Sequence, residues 1–399
     1  MPKLIAMLIV VALGSLLGVA STAGPGTRQQ PATTTQTTAL LVASTNAPLR
    51  VLGSDGLEHL EYDLVFTNVF TAPVTLTAIE VLSPEGGELL RLAGDALAAS
   101  TQPVFSGEPS AEVPVAGTVA TVIDLALAAD RVPARITHRI SYDLPADAPA
   151  LTLIGSRTLN GPALTVDPRT ALVIASPLRG DGWLTANGCC AADSIHRFLR
   201  LAVAGSDLTK PETFAIDWVQ LQGGRLFTGD GARNEQWFAF GAEVLAAAEG
   251  TVVSVRDDMP EETPNQPTVA VLRPEDYGGN NVVIQIAPVV WALYAHLQPG
   301  SIRVAVGDRV APGQPLGRLG NTGNSTAPHL HFQLADGPDV LTANSLPFVF
   351  DRYTLAGIVN PRTAEAALGG GSAPGLSLEG TPQAQAGTYP LYLSVADFP

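Results

Sequence analysis

From about residue 40 the chain breaks into short runs in which apolar and polar positions alternate or nearly alternate. LRVLGS, LEYDLVFTNV, PVTLTAIEVLS, ATVIDLALA and ARITHRISYDL are each bounded by turn residues. A period of two places successive side chains on opposite faces, so these runs predict β-strands, and helical periodicity is scarce. Residues 40–150 therefore read as an antiparallel, immunoglobulin-like sandwich. The Cys and Trp hallmarks of antibody domains are absent, which limits the reading to the layer architecture. PADAPA, from Pro145, and LNGPALTVDPRT mark a passage into a second region, 151–360. Its strands are LVIASPL, FAIDWVQL, EVLAAAEGTVVSV, NNVVIQIA and WALYAHL, giving an all-β chain throughout. Glycines such as Gly250, Gly307, Gly313, Gly317 and Gly320 fall where hairpins must turn. GDRVAPGQPLGRLG is thus a chain of tight turns, and neither GxGxxG nor a GKS/T helix start is present to cradle a phosphate.

The ends carry different patterns. A short basic start, an apolar core and small residues make residues 1–23 a predicted signal peptide, with cleavage near Ala20 or Ala23. Residues 24–39, rich in Gly, Pro, Gln and Thr, read as a disordered linker. Residues 361–399 read as a flexible tail with a terminal strand, YPLYLSVADF, able to rejoin either domain. No later stretch of about 18 apolar residues is free of charge, so no stable membrane span is expected in the mature chain. The predicted location is secreted or periplasmic.

Bulk properties narrow the partners. The net charge is −15, from 22 basic and 37 acidic residues, with no Lys/Arg cluster. That excludes nucleic acid as an expected partner, because phosphate neutralisation needs clustered cations. The two cysteines are adjacent, Cys189 and Cys190; a vicinal bond, free thiols and intermolecular pairing are all open to them.

Candidate chemistry concentrates in residues 321–334, NTGNSTAPHLHFQL. His329 and His331 lie two apart in a predicted strand, so both imidazoles leave one face while Leu330 and Phe332 point to the core. His296 ends the alternating run VVWALYAHL, and Tyr294 shares its predicted face, lining a groove. Three of six histidines in one short region read as a metal or acid–base site. Asp217, between Ile216 and Trp218 in an apolar strand, needs a buried partner, either a metal or hydrogen-bond donors. His196 is the remaining histidine of this region, and a loop at 206–212 is read as exposed. His59 and His138 read as surface or sheet residues without a catalytic role. Asp230, Asp308 and the Asp257–Asp258 pair read as turn-capping or solvated.

Residues 294–332, with FAIDWVQ at 214–220 and VLAAAEGTVVSV at 244–255, resemble the lysostaphin-type, LytM-like zinc metallopeptidases of family M23. The likeness covers about residues 181–350, less than half the chain. It implies an antiparallel β-sheet metallopeptidase domain with a groove, and Zn2+ as cofactor. It also implies His331, the second His of HxH, and Asp217 as metal ligands. The family's first ligand normally sits four residues before that Asp, where this chain has Thr213. An HR pair followed by an insertion, as at His196-Arg197, resembles one branch of the family and makes His196 the implied third ligand. His296 and His329 would flank the metal, one as general base toward its water, the other orienting substrate or an oxyanion. The implied activity is a secreted zinc endopeptidase acting on peptidoglycan cross-links or another peptide. A catalytically silent scaffold that regulates another wall hydrolase, and a zinc peptidase acting on secreted proteins, are the alternatives.

Overall fold

Strand alternation decides the first half of the architecture. Along Arg135–Asp143, Ile136, His138, Ile140 and Tyr142 are buried while Arg135, Arg139 and Asp143 face outward. This strand lies between Thr158–Asn160 and Val74–Leu82, and Glu88–Ala93 completes the row. The facing sheet runs Leu40–Ser44, Glu58–Asn68, Thr118–Leu127, Thr101–Pro103, with Leu49–Leu52 also on Glu58–Asn68. Leu60, Tyr62, Leu64, Phe66, Ile79 and Ile140 meet between the two sheets in one core. The computed structural model describes residues 37–104, 108–192, 194–205, 207–339, 341–361, 363–364 and 375–399. The expected signal peptide, and the linker as far as residue 36, lie outside the described residues, whereas Ala39 at the linker's end is buried.

The second half is one large, mainly antiparallel sheet. Its order is Arg309–Val310, Gly250–Arg256, Asn280–Ala287, Val290–Leu297, Leu330–Ala335, Ile216–Gln220, Gly180–Ala186, Ser394–Phe398, Tyr353–Val359, Leu378–Glu379. The terminal strand therefore lies inside this sheet, between Gly180–Ala186 and Tyr353–Val359. Residues 365–374 of the expected tail lie outside the described residues, and Gln383–Gln385 pairs with Tyr353–Val359. Ile216, Trp218, Tyr294, Leu330 and Phe332 fill the core on one side of the sheet. Among the described residues no helix is long and apolar enough to cross a membrane.

The Glu58–Asn68 strand departs from the usual reading of alternation, in which polar positions face solvent. Its polar face is buried, because the second region packs against it: His59, Glu61 and Asp63 are 5%, 0% and 0% exposed. Each finds a counter-charge. Asp63 accepts from Arg200 Nε at 2.6 Å and from Lys210 Nζ at 2.7 Å. Glu61 is in contact with Arg197, which also donates to the Cys190 carbonyl at 2.8 Å. His59 lies between Asp124 at 2.8 Å and Asp55 at 3.3 Å. Donor atoms of His59, Glu61, Asp124 and Cys190 are close enough to hold a metal. Here, however, the Cys190 sulfur is bonded to Cys189, and the remaining charges are matched by Arg197 and His59.

Burial disfavours a charged His59, but Asp124 and Asp55 outweigh it and raise its pKa to about 10. A pKa raised above the unfolded value stabilises fully below about 6.5 and progressively less as pH climbs through about 10. The stability advantage of wild type over His59→Gln should thus be largest near pH 6 and shrink toward pH 10. Thermal unfolding of both proteins across that range checks it, and a constant gap would remove the ion pair from the account.

Candidate metal centre and its histidines

Three adjacent strands bring the centre together. Asp217 on Ile216–Gln220 is directly opposite His331 on Leu330–Ala335, and His331 is opposite Ala295 on Val290–Leu297. Alternation sends Leu330, Phe332, Ile216 and Trp218 into the core and leaves Asp217 and His331 on the other face. The small side chain of Ala295 leaves room beside His331. Asp217 Oδ1 lies 2.9 Å from His331 Nδ1 and 3.4 Å from His329 Nε2.

His296 reaches this face by a local exception. Simple alternation pairs it with Tyr294, yet Tyr294 is fully buried in the core and its hydroxyl accepts from Ala247 N–H at 2.7 Å. The expectation that Tyr294 lines the groove is therefore corrected. The register shifts between Asn280 and Val282, and His296 takes φ of 63°, which turns its side chain out of the core. Such a conformation is costly for a non-glycine residue and needs over-determining contacts. His296 N–H donates to Gly278 O at 3.1 Å, its carbonyl accepts from Gly320 N–H, and Nδ1 donates to Thr322 O at 2.7 Å. The ring ends 4.6 Å from that of His329 and 5.9 Å from that of His331.

His196 comes from a short 3-10 turn, Ile195–Phe198, that follows the Cys189–Cys190 disulfide. Within this turn Arg197 reaches toward the sandwich while His196 turns toward Asp217, with Nε2 3.2 Å from Oδ2. The segment beyond it is less open than the sequence suggested. Leu201–Val203 and Asp207–Thr209 form a hairpin, and Thr209, Lys210, Glu212 and Thr213 are buried. Glu212 Oε2 lies 3.8 Å from His196 Nε2, and donor atoms of His196, Glu212 and His331 all lie within 4.8 Å of one another.

This donor set fits a zinc ion. Tetrahedral ligands at roughly 2.0–2.2 Å from the metal lie about 3.3 Å from one another, close to the 2.9 and 3.2 Å that separate Asp217 from the two imidazoles. The outer nitrogens are also spoken for. His196 Nδ1 faces the Ala215 carbonyl at 3.3 Å, and His331 Nε2 faces Gln333 Oε1 at 2.8 Å. With a proton on each outer nitrogen, the inner His196 Nε2 and His331 Nδ1 present lone pairs. His196, Asp217 and His331 would hold the ion, with Asn187 Nδ2 steadying Asp217 Oδ2 at 2.8 Å. His329 and His296 are fixed in the same way, since Nδ1 of His329 donates to Ala327 O at 2.8 Å.

As protonatable groups these side chains pull one another apart. Burial would raise Asp217, but His196 and His329 hold it well below the usual carboxylate range. Burial opposes a charge on His196, but Asp217 and Glu212 raise it to about 9. Burial, together with His329 and His331, pushes His296 far down. His329 moves up despite burial, because Asp217 is beside it. A base and a neutral imidazole are thereby placed side by side.

Glu212, Gln333 and Asn187 are absent from the sequence-based site. Gln333 had a signal, being two residues after His331 on the same strand face. Glu212 and Asn187 approach through loops, where no periodicity points. Asp230, Asp257 and Asp308 accept from backbone N–H groups in turns, and Asp258 pairs with Arg256.

Residues 236–341 match peptidase family M23, a segment that contains His296, His329 and His331 but begins after His196 and Asp217. The peptidoglycan DD-endopeptidase ShyA of Vibrio cholerae is 38% identical over 90 residues, which are 23% of this chain and 20% of that protein. The glycyl-glycine endopeptidase ALE-1 of Staphylococcus capitis is 48% identical over 60 residues, 14% of this chain and 16% of that protein. The matches thus span a fifth or less of these relatives' lengths. Among solved structures, the catalytic domain of the prophage-encoded M23 protein EnpA from Enterococcus faecalis is 21% identical. That match covers 44% of this chain and 93% of the other, with a TM-score of 0.25. The likeness to peptidase family M23 thus rests on residues 236–341, about a quarter of the chain.

Proposed function

We propose that this chain is a zinc metalloendopeptidase of the lysostaphin/LytM type, exported from the cell, that hydrolyses peptide cross-links of peptidoglycan. The observation that carries this reading is the convergence of His196 Nε2, His331 Nδ1 and the Asp217 carboxylate, with the outer nitrogens of both histidines facing oxygen acceptors. ShyA and ALE-1 are both named as endopeptidases, the first of peptidoglycan, which supports the substrate class.

A zinc ion held there would polarise the scissile carbonyl and make a neighbouring water more acidic. The protein's own groups do the rest. His329, the more exposed of the two flanking imidazoles, accepts the water's proton at Nε2 and keeps its orientation through Nδ1–H to Ala327 O. His296, neutral and pinned by Thr322 O, lies one ring away and orients the substrate carbonyl or relays the proton. Asp217 sets the charge of the centre and, through Oδ1, the position of both HxH rings.

The test is digestion of purified peptidoglycan of several cross-link types, read by mass spectrometry of released fragments. Cleavage should stop with a zinc chelator, return on adding zinc, and be absent in Asp217→Asn, which should also lose its metal. A folded, zinc-loaded protein that cuts no wall peptide would point to secreted peptides or to the scaffold reading.

A further inference from the structure

We propose that Glu212 is a fourth protein ligand of the metal centre, closing it into a set of two histidines and two carboxylates; this rests on the zinc reading above. The placement is specific. Glu212 is 4% exposed, and its carboxylate lies within 4.8 Å of the donor nitrogens of both His196 and His331. Its 3.8 Å from His196 Nε2 is close to the ~3.3 Å expected between two ligands of one tetrahedral zinc.

The chain holds Glu212 there from both sides. Two residues earlier, Lys210 is tied to Asp63 of the sandwich at 2.7 Å; after it, Ala215 N–H donates to the Glu212 carbonyl at 3.0 Å.

Charge points the same way. Zinc with two neutral imidazoles and Asp217 alone leaves one uncompensated positive charge in a buried site. A second carboxylate brings the set to neutrality, and a buried Glu212 gains the cation its burial requires. The insertion that places the first histidine at 196 also delivers this carboxylate, one residue before Thr213. The resting centre is then saturated by protein groups, and a water or substrate carbonyl reaches the ion only in place of Glu212.

The experiment measures zinc affinity by competition with a chromophoric chelator, and the visible spectrum of the Co2+-substituted protein. Wild type, Glu212→Gln, Glu212→Ala and His331→Ala are compared, with circular dichroism as the folding control. Glu212→Ala should weaken zinc by at least about 100-fold, beyond the usual loss of an outer-shell partner. Both Glu212 variants should shift the Co2+ bands, because a ligand bonded to the ion has changed. Folded Glu212 variants with wild-type affinity and unchanged Co2+ bands, beside a His331→Ala that has lost the metal, would overturn this inference alone. Wild-type protein that binds no zinc, or binds it equally well without His331, would overturn the zinc reading and this inference with it.

Discussion

A His329→Ala variant is expected to fold, to keep its zinc, and to lose about 10²- to 10⁴-fold in turnover, the usual contribution of a positioned acid–base group. The expectation follows from how His329 is held. Its Nδ1 is fixed by the Ala327 carbonyl and lies 3.2 Å from Ser325 Oγ, so the ring is aimed by local backbone. Its Nε2 faces Asp217 at 3.4 Å yet stands outside the His196, Asp217 and His331 set. Removing it deletes a proton acceptor without deleting a ligand. His331→Ala should behave differently, losing metal and activity together. The comparison needs metal content per chain beside initial rates on one peptide substrate. If His329→Ala loses its zinc as His331→Ala does, His329 is a ligand and the division of roles proposed here is wrong.

The second large effect lies away from the chemistry. Asp63→Ala removes the carboxylate shared by Arg200 and Lys210, leaving two buried cations facing each other. Breaking a buried pair by removing one partner costs about 3–5 kcal/mol, a fall in Tm on the order of 10 °C for a domain of this size. The loss should reach the metal. Arg200 and Lys210 bracket the hairpin between His196 and Glu212, so an unseated hairpin loosens both side chains and lowers zinc affinity. Replacing all three charges together, with Asp63→Leu, Arg200→Met and Lys210→Met, should recover most of the stability, because apolar groups of similar volume pay no desolvation. A Tm within a degree or two of wild type in Asp63→Ala would show that the seam contributes little.

Periodicity carried much of this architecture. The HxH spacing and the apolar flanks of Asp217 placed His329, His331 and Asp217 on one face, and strand pairing sets Asp217 opposite His331. Periodicity fails where the backbone leaves it. His296 and Tyr294 share a face on paper, but the shifted register and the left-handed turn at His296 separate them. It fails again on Glu58–Asn68, where alternation alone does not say that the polar face is buried as well. Glu61 and Asp63 meet Arg197, Arg200 and Lys210, which come from a 3-10 turn and a hairpin far along the chain, and no local pattern contains that. Glu212 was hidden for the same reason: a loop residue has no face until its neighbours lock it.

The strand Ser394–Phe398 has a consequence in time. It fills the place between Gly180–Ala186 and Tyr353–Val359, and Thr185 Oγ1 donates to the Leu391 carbonyl 206 positions away in the chain. The Gly180–Ala186 strand is also the direct neighbour of the strand bearing Asp217. While the polypeptide is still emerging from the ribosome, that neighbour has one edge unpaired, and contacts of such long range form late. The strand bearing Asp217 is therefore backed by a finished sheet only once Ser394–Phe398 has been made, so a nascent chain carries all the histidines of the centre well before the sheet behind them is complete.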